Sequence, residues 1–483
     1  MTTMGNDANT RAVVLGGSLG GLFAARVLAD AYDEVVVVDR DLLTEVKEAR
    51  RGCPQGRHIS GLLTRGQRAI ESMYPGIVEE LFADGVPQGD LAGTVRWYVR
   101  GKRLKPQNAD MLCVGASRPM LEYHVRRRTL ALGNVSFAER HDILGLEATS
   151  DRRKITGVRV QNLDGDKGVE VIEADLVVDA TGRGSRTPIW LEDLGYPRVK
   201  EDRKKIGLGY VTQHYKLRND PYNGDLSING VAYPKTPRGI LFAKTDGDRA
   251  EMTTYGILGD HPPTDQEGLF EFIRSIGIPE IYEAVVQAEP LEEPVAFRFP
   301  TTLRRRYEDM ERFPDGLLVV GDAVTTFNPV YAGGMTVAAL SALTIREHLH
   351  SGATPQPLDY FRDLARNVID PPWQMTHNVD LSFPGVEGKR PLSLKFEQAF
   401  MTLVQTAAAR DSRVTAGYMR VAGQVEHPST LMKPKFLLRV ILAALGLSKT
   451  PGPEISTREI PKATTTAATK TAKTTAKGKV TTS

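Results

Sequence analysis

Residues Arg11 to Asp39 constrain what this chain can fold around. Arg11 to Leu15 reads as a short buried strand, Gly16-Gly17-Ser18-Leu19-Gly20-Gly21 as a tight turn, Leu22 to Tyr32 as an Ala-rich helix, and Val35 to Val38 as a second apolar strand ending in Asp39. Strand, glycine turn, helix, strand and acid in this order form the βαβ unit that binds dinucleotides. The pyrophosphate lies on the helix N-terminus, where unpaired N–H groups point outward, and the acid meets the adenosine ribose hydroxyls. The middle glycine of the usual Gly-x-Gly-x-x-Gly is Ser18, so the pattern is carried by Gly16, Ser18 and Gly21. Serine is small, and its hydroxyl can itself donate to a phosphate.

A second junction of the same kind lies far downstream. The apolar strand Leu317 to Val320 ends in Gly321-Asp322, and Asn328-Pro329-Val330-Tyr331-Ala332-Gly333-Gly334-Met335-Thr336 then opens into the helix-patterned run Val337-Ala338-Ala339-Leu340. A carboxylate and a helix N-terminus side by side suit a cofactor with both hydroxyls and an electron-rich ring. Asp322 can accept hydrogen bonds from a sugar-alcohol chain, and the helix start favours negative charge on a reduced flavin. A third junction, the strand Asp175 to Val178 leading into Asp179-Ala180-Thr181-Gly182-Arg183-Gly184-Ser185-Arg186, completes one nucleotide-binding sheet.

The rest of the chain has other periods. Ile206 to Tyr215, Ser227 to Tyr233, Gly239 to Lys244, Glu251 to Leu258 and Val295 to Phe299 read as strands separated by Gly, Pro and Asn turns, with Thr94 to Val99 and Lys102 to Leu104 adding a hairpin. They predict a second, mostly antiparallel sheet. From Pro357 to Leu447 the pattern is helical, with a break expected at Pro371-Pro372. Beyond Pro451 the sequence becomes a Thr, Ala and Lys tract that cannot bury a core and is expected to be disordered.

At 483 residues there is room for two or three domains. A net charge of +3, with basic residues scattered apart from Arg126-Arg127-Arg128 and Arg304-Arg305-Arg306, argues against a nucleic-acid partner. Cys53 and Cys113 make neither a disulfide framework nor a metal-ligand pattern, so a reducing compartment and no metal are expected. Met1 to Thr10 lacks the apolar core of a signal peptide, and no run approaches the roughly 20 apolar residues of a membrane span. The expected location is the cytoplasm. One segment qualifies this: Phe436 to Leu447 (436–447) is apolar except for Arg439 and is flanked by Lys433, Lys435 and Lys449. It suits a helix lying in a membrane interface and equally a helix packed on the protein's own surface.

With these residues assembled, the chain resembles the FAD-dependent monooxygenases, of the group A type, over about residues 10 to 350. The order of motifs matches: the first βαβ turn, then Ser117-Arg118-Pro119-Met120-Leu121, then Asp179-Ala180-Thr181-Gly182, then Gly321-Asp322. Within that superfamily Gly333-Gly334-Met335-Thr336-Val337-Ala338 looks like squalene epoxidases. Pro54-Gln55-Gly56-Arg57-His58, the run from Ala180 to Arg186, and Phe327-Asn328-Pro329-Val330-Tyr331 look like the bacterial epoxidases of polyether-antibiotic polyenes. The resemblance implies an α/β fold: a Rossmann-like FAD-binding domain over 10–75, 110–195 and 300–355, and an inserted, mostly antiparallel β-sheet substrate domain over 76–109 and 196–299. A C-terminal helical region over 356–450 and a disordered tail over 451–483 complete it.

By the same resemblance Gly16, Ser18 and Gly21 hold the FAD pyrophosphate and Asp39 the adenosine ribose. Arg118 holds the phosphate-ribityl region, Gly321 and Asp322 meet the ribityl chain, and Pro329, Gly333, Gly334 and Met335 flank the isoalloxazine edge. Ala332 stands where the family has a glycine. Arg57 and His58 are implied to lie near the flavin; Tyr210, from its place in the strand Gly207-Leu208-Gly209-Tyr210-Val211 rather than from the resemblance, is a candidate to face it. His58 and Tyr210 are thus the candidates for a catalytic side chain, against ordinary roles as a hydrogen-bonded structural histidine and a sheet core residue.

The implied activity is insertion of one oxygen atom from O2 into a lipophilic small molecule, by epoxidation or hydroxylation, through a flavin C4a-hydroperoxide. An alkene needs no general base, whereas a phenol gains from one; no acid or histidine in the strand-rich region stands out as such a base, which favours epoxidation. No second Gly-x-Gly-x-x-Gly follows a strand, so electrons are expected from NAD(P)H docking directly or from a separate flavin reductase. The paired tryptophans of flavin-dependent halogenases are missing, which argues against halogenation. Two other readings stay open: a flavin-dependent reductase saturating isoprenoid double bonds, and a non-catalytic flavoprotein.

Overall fold

A computed structural model describes residues 10–165, 168–247, 249–349, 354–448 and 450. The expected tail over 451–483 and nearly all of the Met1 to Thr10 segment lie outside the described residues.

The apolar runs at the three junctions share one parallel sheet. Its strand order is Leu317–Val319, Leu176–Asp179, Arg11–Leu15, Glu34–Val38 and Val135–Ala138, every neighbour parallel. These strands are almost unbroken Val and Leu because both faces are covered, as buried parallel sheets require; Val13, Val14, Val37, Val177 and Leu318 have no exposure. Helix Leu19–Leu28 packs on helix Gly334–Leu349, so the residues that follow the two motifs meet.

The second sheet is built on the strands Glu201–Lys216 and Val295–Arg305, which pair antiparallel. Arg249–Gly256, Arg238–Thr245 and Ser227–Val231 continue it in that order, and Val95–Val99 joins through a parallel pairing. The register shifts between Lys205 and Leu208, where Gly207 takes a φ of +57°. Such a bulge bends and twists the long strand locally. One face of the sheet is sealed by helices Gln266–Ile276 and Pro279–Gln287, whose Leu269, Ile273, Ile281 and Val285 pack on Val211, Phe242 and Met252.

The structure departs from the sequence reading in three places. His141–Ala148, Ile155–Asn162 and Val169–Glu173 form a separate three-stranded antiparallel sheet inside the first domain. Helix Ile77–Ala83, which the boundary at 76 assigns to the second sheet, buries Ile77, Val78 and Leu81 in the core of the first. The chain does not break at Pro371-Pro372. Helix Pro357–Leu364 runs through a π turn at Ala365–Ile369 into helix Asp370–Asp380, whose first turn contains both prolines. There the missing N–H groups cost little, and the wider turn absorbs the ring clash.

Candidate functional site

Strand Arg11–Leu15 delivers the chain into the glycine turn, and each glycine there has its own steric reason. Gly16 takes a φ of +99°, and a Cβ on it would lie 2.8 Å from the Ala180 carbonyl oxygen. A Cβ on Gly21 would come within 1.8 Å of the Gly16 carbonyl oxygen, so only glycine lets the helix start this close to the strand. Ser18 is the N-cap of the helix, but its side chain caps no backbone N–H. The hydroxyl instead donates to Glu122 Oε1 at 2.6 Å and accepts from Arg118 Nη2 at 3.2 Å.

Arg118 is the first residue of helix Arg118–Leu130, held at its start by the Ser117 N-cap. It pairs with Glu122 one turn on, Nε to Oε1 at 2.9 Å. Glu122 is the hub of this corner, because Arg50 Nη2 and Arg126 Nη2 reach its other oxygen at 3.1 and 3.4 Å. Burial opposes its ionisation, but Arg118, Arg50 and the Ser18 hydroxyl outweigh that and hold the carboxyl at about 2. Arg50 also meets Asp41 at 3.2 Å, so three guanidiniums and the carboxylates of Glu122, Asp39 and Asp41 form one network beside the helix N-terminus, where a pyrophosphate would lie. Arg50 and Glu122 are absent from the sequence reading. Glu122 carries a readable signal in its four-residue spacing from Arg118; Arg50 carries none.

Asp39, at the end of its strand, accepts from Gly17 N at 2.6 Å and from Asp41 N at 2.8 Å, with Arg50 Nη1 at 3.7 Å. Burial raises its carboxyl. The acid expected at the ribose thus also ties the glycine turn to the second strand.

Gly321 turns with a φ of +58° and presents Asp322 to the start of helix Gly334–Leu349. A Cβ on Gly334 would lie 3.8 Å from Asp322 Oδ1, and one on Gly182 3.9 Å from Asp322 Cβ. Asp322 keeps some solvent contact, yet it lies deep in the fold, and burial raises its carboxyl to about 6 against the pull of Arg118 and Arg183. Among the described residues no group hydrogen-bonds this carboxylate. Arg183 matches it in character: its Nη1 is buried without a partner, and its guanidinium sits 5.0 Å from the Phe299 ring centroid.

The loop between Asp322 and the helix is shaped by an alanine. Ala332 holds a φ of +53°, the left-handed conformation a glycine adopts without cost. Pro329–Tyr331 form a short 3-10 turn before it, capped by Asn328 through Val330 N at 3.2 Å. A Cβ on Gly333 would meet nothing within 4 Å, and its φ is not in the left-handed range. Neither backbone nor packing inside the chain asks for glycine there, which fits close approach by a bound group. Met335 and Arg118 line the same narrow pocket with Ser60, Leu62 and Gln67.

Asp380, from the C-terminal helical region, anchors this loop. Its Oδ1 accepts from Tyr331 OH at 2.8 Å and from Asn328 Nδ2 at 3.2 Å. Burial raises it to about 6, opposed by those two bonds and by Lys204. Lys204 is lowered to about 8 by burial and bonds His377 of the same helix. Nothing local in the sequence points to this cluster.

Beside the loop, the other face of the second sheet is covered by Leu381, Phe383, Val386 and Leu394 of the C-terminal region, which bury Tyr210, Tyr255 and Phe299. Tyr210 pairs with Tyr255 on one side and Phe297 on the other, and its ring stacks on Phe297 at 5.2 Å. Val330 packs on the cluster containing Tyr210, Tyr255 and Phe299. His58 is buried edge-on to Tyr210, 4.8 Å between centroids, and its Nδ1 is 2.8 Å from Thr212 Oγ1. Burial first, then the charges of Arg57 and His214, lower it to about 4, so the ring is neutral at pH 7. Arg57 itself is exposed. The structure thus brings Gly16, Ser18, Gly21, Asp39 and Arg118 together at one corner. It gathers Gly321, Asp322, Pro329, Gly333, Gly334 and Met335 at the adjoining one, and stands His58 and Tyr210 on the neighbouring wall.

The donor set fits FAD: a glycine cradle at a helix N-terminus, guanidiniums of Arg50 and Arg118 beside it, and the Asp322 carboxylate, which has no hydrogen-bond donor among the described residues. The sequence matches the FAD binding domain family over residues 9–354. The chain belongs to this family. A relative in Mycobacterium tuberculosis, protein Rv3254, is 32% identical over 404 residues, covering 79% of this chain and 82% of the relative. Among solved structures, a flavoprotein/dehydrogenase from Cytophaga hutchinsonii superposes with a TM-score of 0.65 at 15% identity, covering 90% of this chain and 98% of that one. PqsL of Pseudomonas aeruginosa, solved with 2-aminobenzoylacetate, gives a TM-score of 0.60 at 16% identity over 77% of this chain and 94% of that one. At these identities the structures share the fold. The protein is therefore an α/β FAD-binding protein. Both cysteines are free thiols. Among the described residues there is no metal-ligand cluster and no helix long and apolar enough to cross a membrane.

Proposed function

We propose that this protein is an FAD-dependent monooxygenase that inserts one oxygen atom from O2 into a lipophilic small molecule, with electrons from NAD(P)H. The observation that carries this is adjacency: the loop between Asp322 and Gly333, at the corner that fits the cofactor, packs through Val330 on the aromatic cluster of Tyr210, Tyr255 and Phe297.

Gly16, Ser18, Gly21 and Arg118 would hold the pyrophosphate, Asp39 the adenosine ribose and Asp322 the ribityl hydroxyls. Gly333, Gly334 and Met335 would border the ring. Bound FAD would supply the redox and oxygen chemistry. The chain's own task is to bind, orient and keep water out. The N–H groups opening helix Gly334–Leu349 and the Arg183 guanidinium, whose Nη1 has no hydrogen-bond partner, favour negative charge beside Asp322. The stacked rings exclude water and hold an apolar substrate by area alone.

Epoxidation is the finer reading. The wall offers no anionic base at pH 7: His58 is neutral, burial pushes the Tyr210 phenol far up, and burial holds the Glu251 carboxyl at about 8. An alkene requires no such base.

The test is anaerobic reduction of the purified holoprotein with NADH and NADPH, then exposure to isotopically labelled O2 with lipophilic alkenes. Substrate-dependent O2 uptake with one labelled atom in the product supports the reading. Saturated product with no O2 uptake would overturn it in favour of a reductase. A bound FAD that no donor reduces would leave a non-catalytic flavoprotein.

A further inference from the structure

Helix Pro434–Ala444 is amphipathic in an unusual sense. Its one internal charge, Arg439, faces inward and binds the fully buried Asp411, Nε to Oδ2 at 2.9 Å. Val440 and Ala443 are buried in the C-terminal core. The outward stripe is then wholly apolar: Leu438, Ile441 and Leu445, spaced three and four apart, are 59%, 48% and 68% exposed. Its packing partner, helix Leu392–Ala408, repeats the pattern. Leu392, Phe396 and Leu403 point outward, with Phe396 75% exposed, while Val404, Ala407 and Ala408 are buried against the first helix. Two neighbouring helices that both turn leucines to solvent are not the scatter of single apolar residues found on ordinary surfaces.

We infer that this pair of helices is a docking surface for an anionic lipid bilayer, lying in its interface rather than spanning it. Charge selects this occupant over a second copy of the chain. Lys433 and Lys435 are exposed at the start of the outward stripe, and the partner helix exposes Lys395 together with one acid, Glu397. Helix Pro434–Ala444 carries no acidic residue. An apolar stripe with basic flanks is the chemistry that enters a headgroup layer and is held there by anionic lipid. A partner copy would bring the same positive rim to the contact. The inference stands on surface and charge and does not rest on the proposed reaction.

The test is flotation of the full-length holoprotein with phosphatidylcholine vesicles containing or lacking phosphatidylglycerol, with light scattering to report mass in solution. Wild type is expected to float with the anionic vesicles and to lose most of that at high salt. Leu438→Gln with Ile441→Gln and Leu445→Gln should reduce bound protein at least about tenfold, as should Lys433→Glu with Lys435→Glu, with the flavin spectrum unchanged. Failure of wild type to float, or undiminished binding by the triple variant, would overturn the inference. So would a wild-type dimer that the triple variant dissolves without vesicle binding, which would give the surface to a second copy. Because every variant retains its flavin, a failure here leaves the reading of the cofactor site untouched.

Discussion

Asp380 accepts the Tyr331 hydroxyl at 2.8 Å, and in doing so ties the C-terminal helices to the loop that precedes helix Gly334–Leu349. The same oxygen accepts from Asn328, so one carboxylate fixes both ends of the 3-10 turn. The C-terminal region therefore helps form the proposed cofactor corner although it contributes none of the motifs that mark it.

Asp380→Ala should leave the buried Asn328 amide without its acceptor and lower stability by about 2 kcal/mol. It should also speed FAD release, followed by the recovery of flavin fluorescence on dilution. Asp380→Asn keeps an acceptor oxygen and should hold FAD nearly as well as wild type. Equal release rates for wild type and both variants would show that the loop needs no such anchor.

Two glycine substitutions should separate folding from cofactor binding. Gly21→Ala places its methyl 1.8 Å from a backbone oxygen and should cost about 3 kcal/mol or more, or abolish folding. Gly333→Ala meets no atom of the chain, so the melting of the apoprotein should stay within about 0.5 kcal/mol of wild type. Its FAD Kd should nevertheless rise at least about tenfold, or about 1.4 kcal/mol. Unchanged affinity in Gly333→Ala would remove that residue from the site.

Glu251 gives a pH signature. Burial, reinforced by Asp246, raises its carboxyl from 4.5 to about 8. Between those values the native state holds a proton the unfolded chain has released, so stability falls as pH rises through this window and levels off above it. Glu251→Gln carries no such proton. Relative to wild type it should gain on the order of 3 kcal/mol between pH 5 and pH 9, read from urea denaturation. Parallel curves for the two proteins would show the carboxyl is not buried in this way.

His58 should titrate at about 4 in a nitrogen-resolved NMR spectrum, well below an ordinary histidine. His58→Gln should accordingly leave the pH dependence of kcat/KM between 6 and 8 unchanged. A shift of that profile would assign His58 a proton-transfer role that its neutral, Thr212-bonded ring does not predict.

What could be read in advance follows from how far information travels along the chain. Gly16, Ser18, Gly21 and Asp39 were legible because one contiguous βαβ unit encodes their geometry. Asp322 and the Gly333-Gly334 pair were legible for the same local reason. Arg50, Arg183 and Asp380 were not, since each acts through partners distant in sequence, as with Asp380 and Asn328. The His141–Glu173 sheet escaped because its last strand, Val169–Glu173, is largely exposed and shows no alternation of buried and open positions. The two prolines at 371 and 372 misled in the opposite sense: the residues break a helix interior but open a helix well, and only the π turn before them shows which applies.

The strand order of the first sheet also bears on how the protein is made. Leu317–Val319 forms one edge, beside the strand that precedes Gly182, while the glycine turn at Gly16 leaves the central strand. The two halves of the proposed cofactor site leave the ribosome roughly 300 residues apart, an interval of at least ~15 s at ordinary synthesis rates. Until the later half emerges, the nascent chain has Ser18 and Arg118 but neither Asp322 nor the helix that faces it. With the cofactor held as proposed, flavin loading is expected late in biosynthesis, and truncations upstream of residue 350 should accumulate as flavin-free chains prone to capture by chaperones.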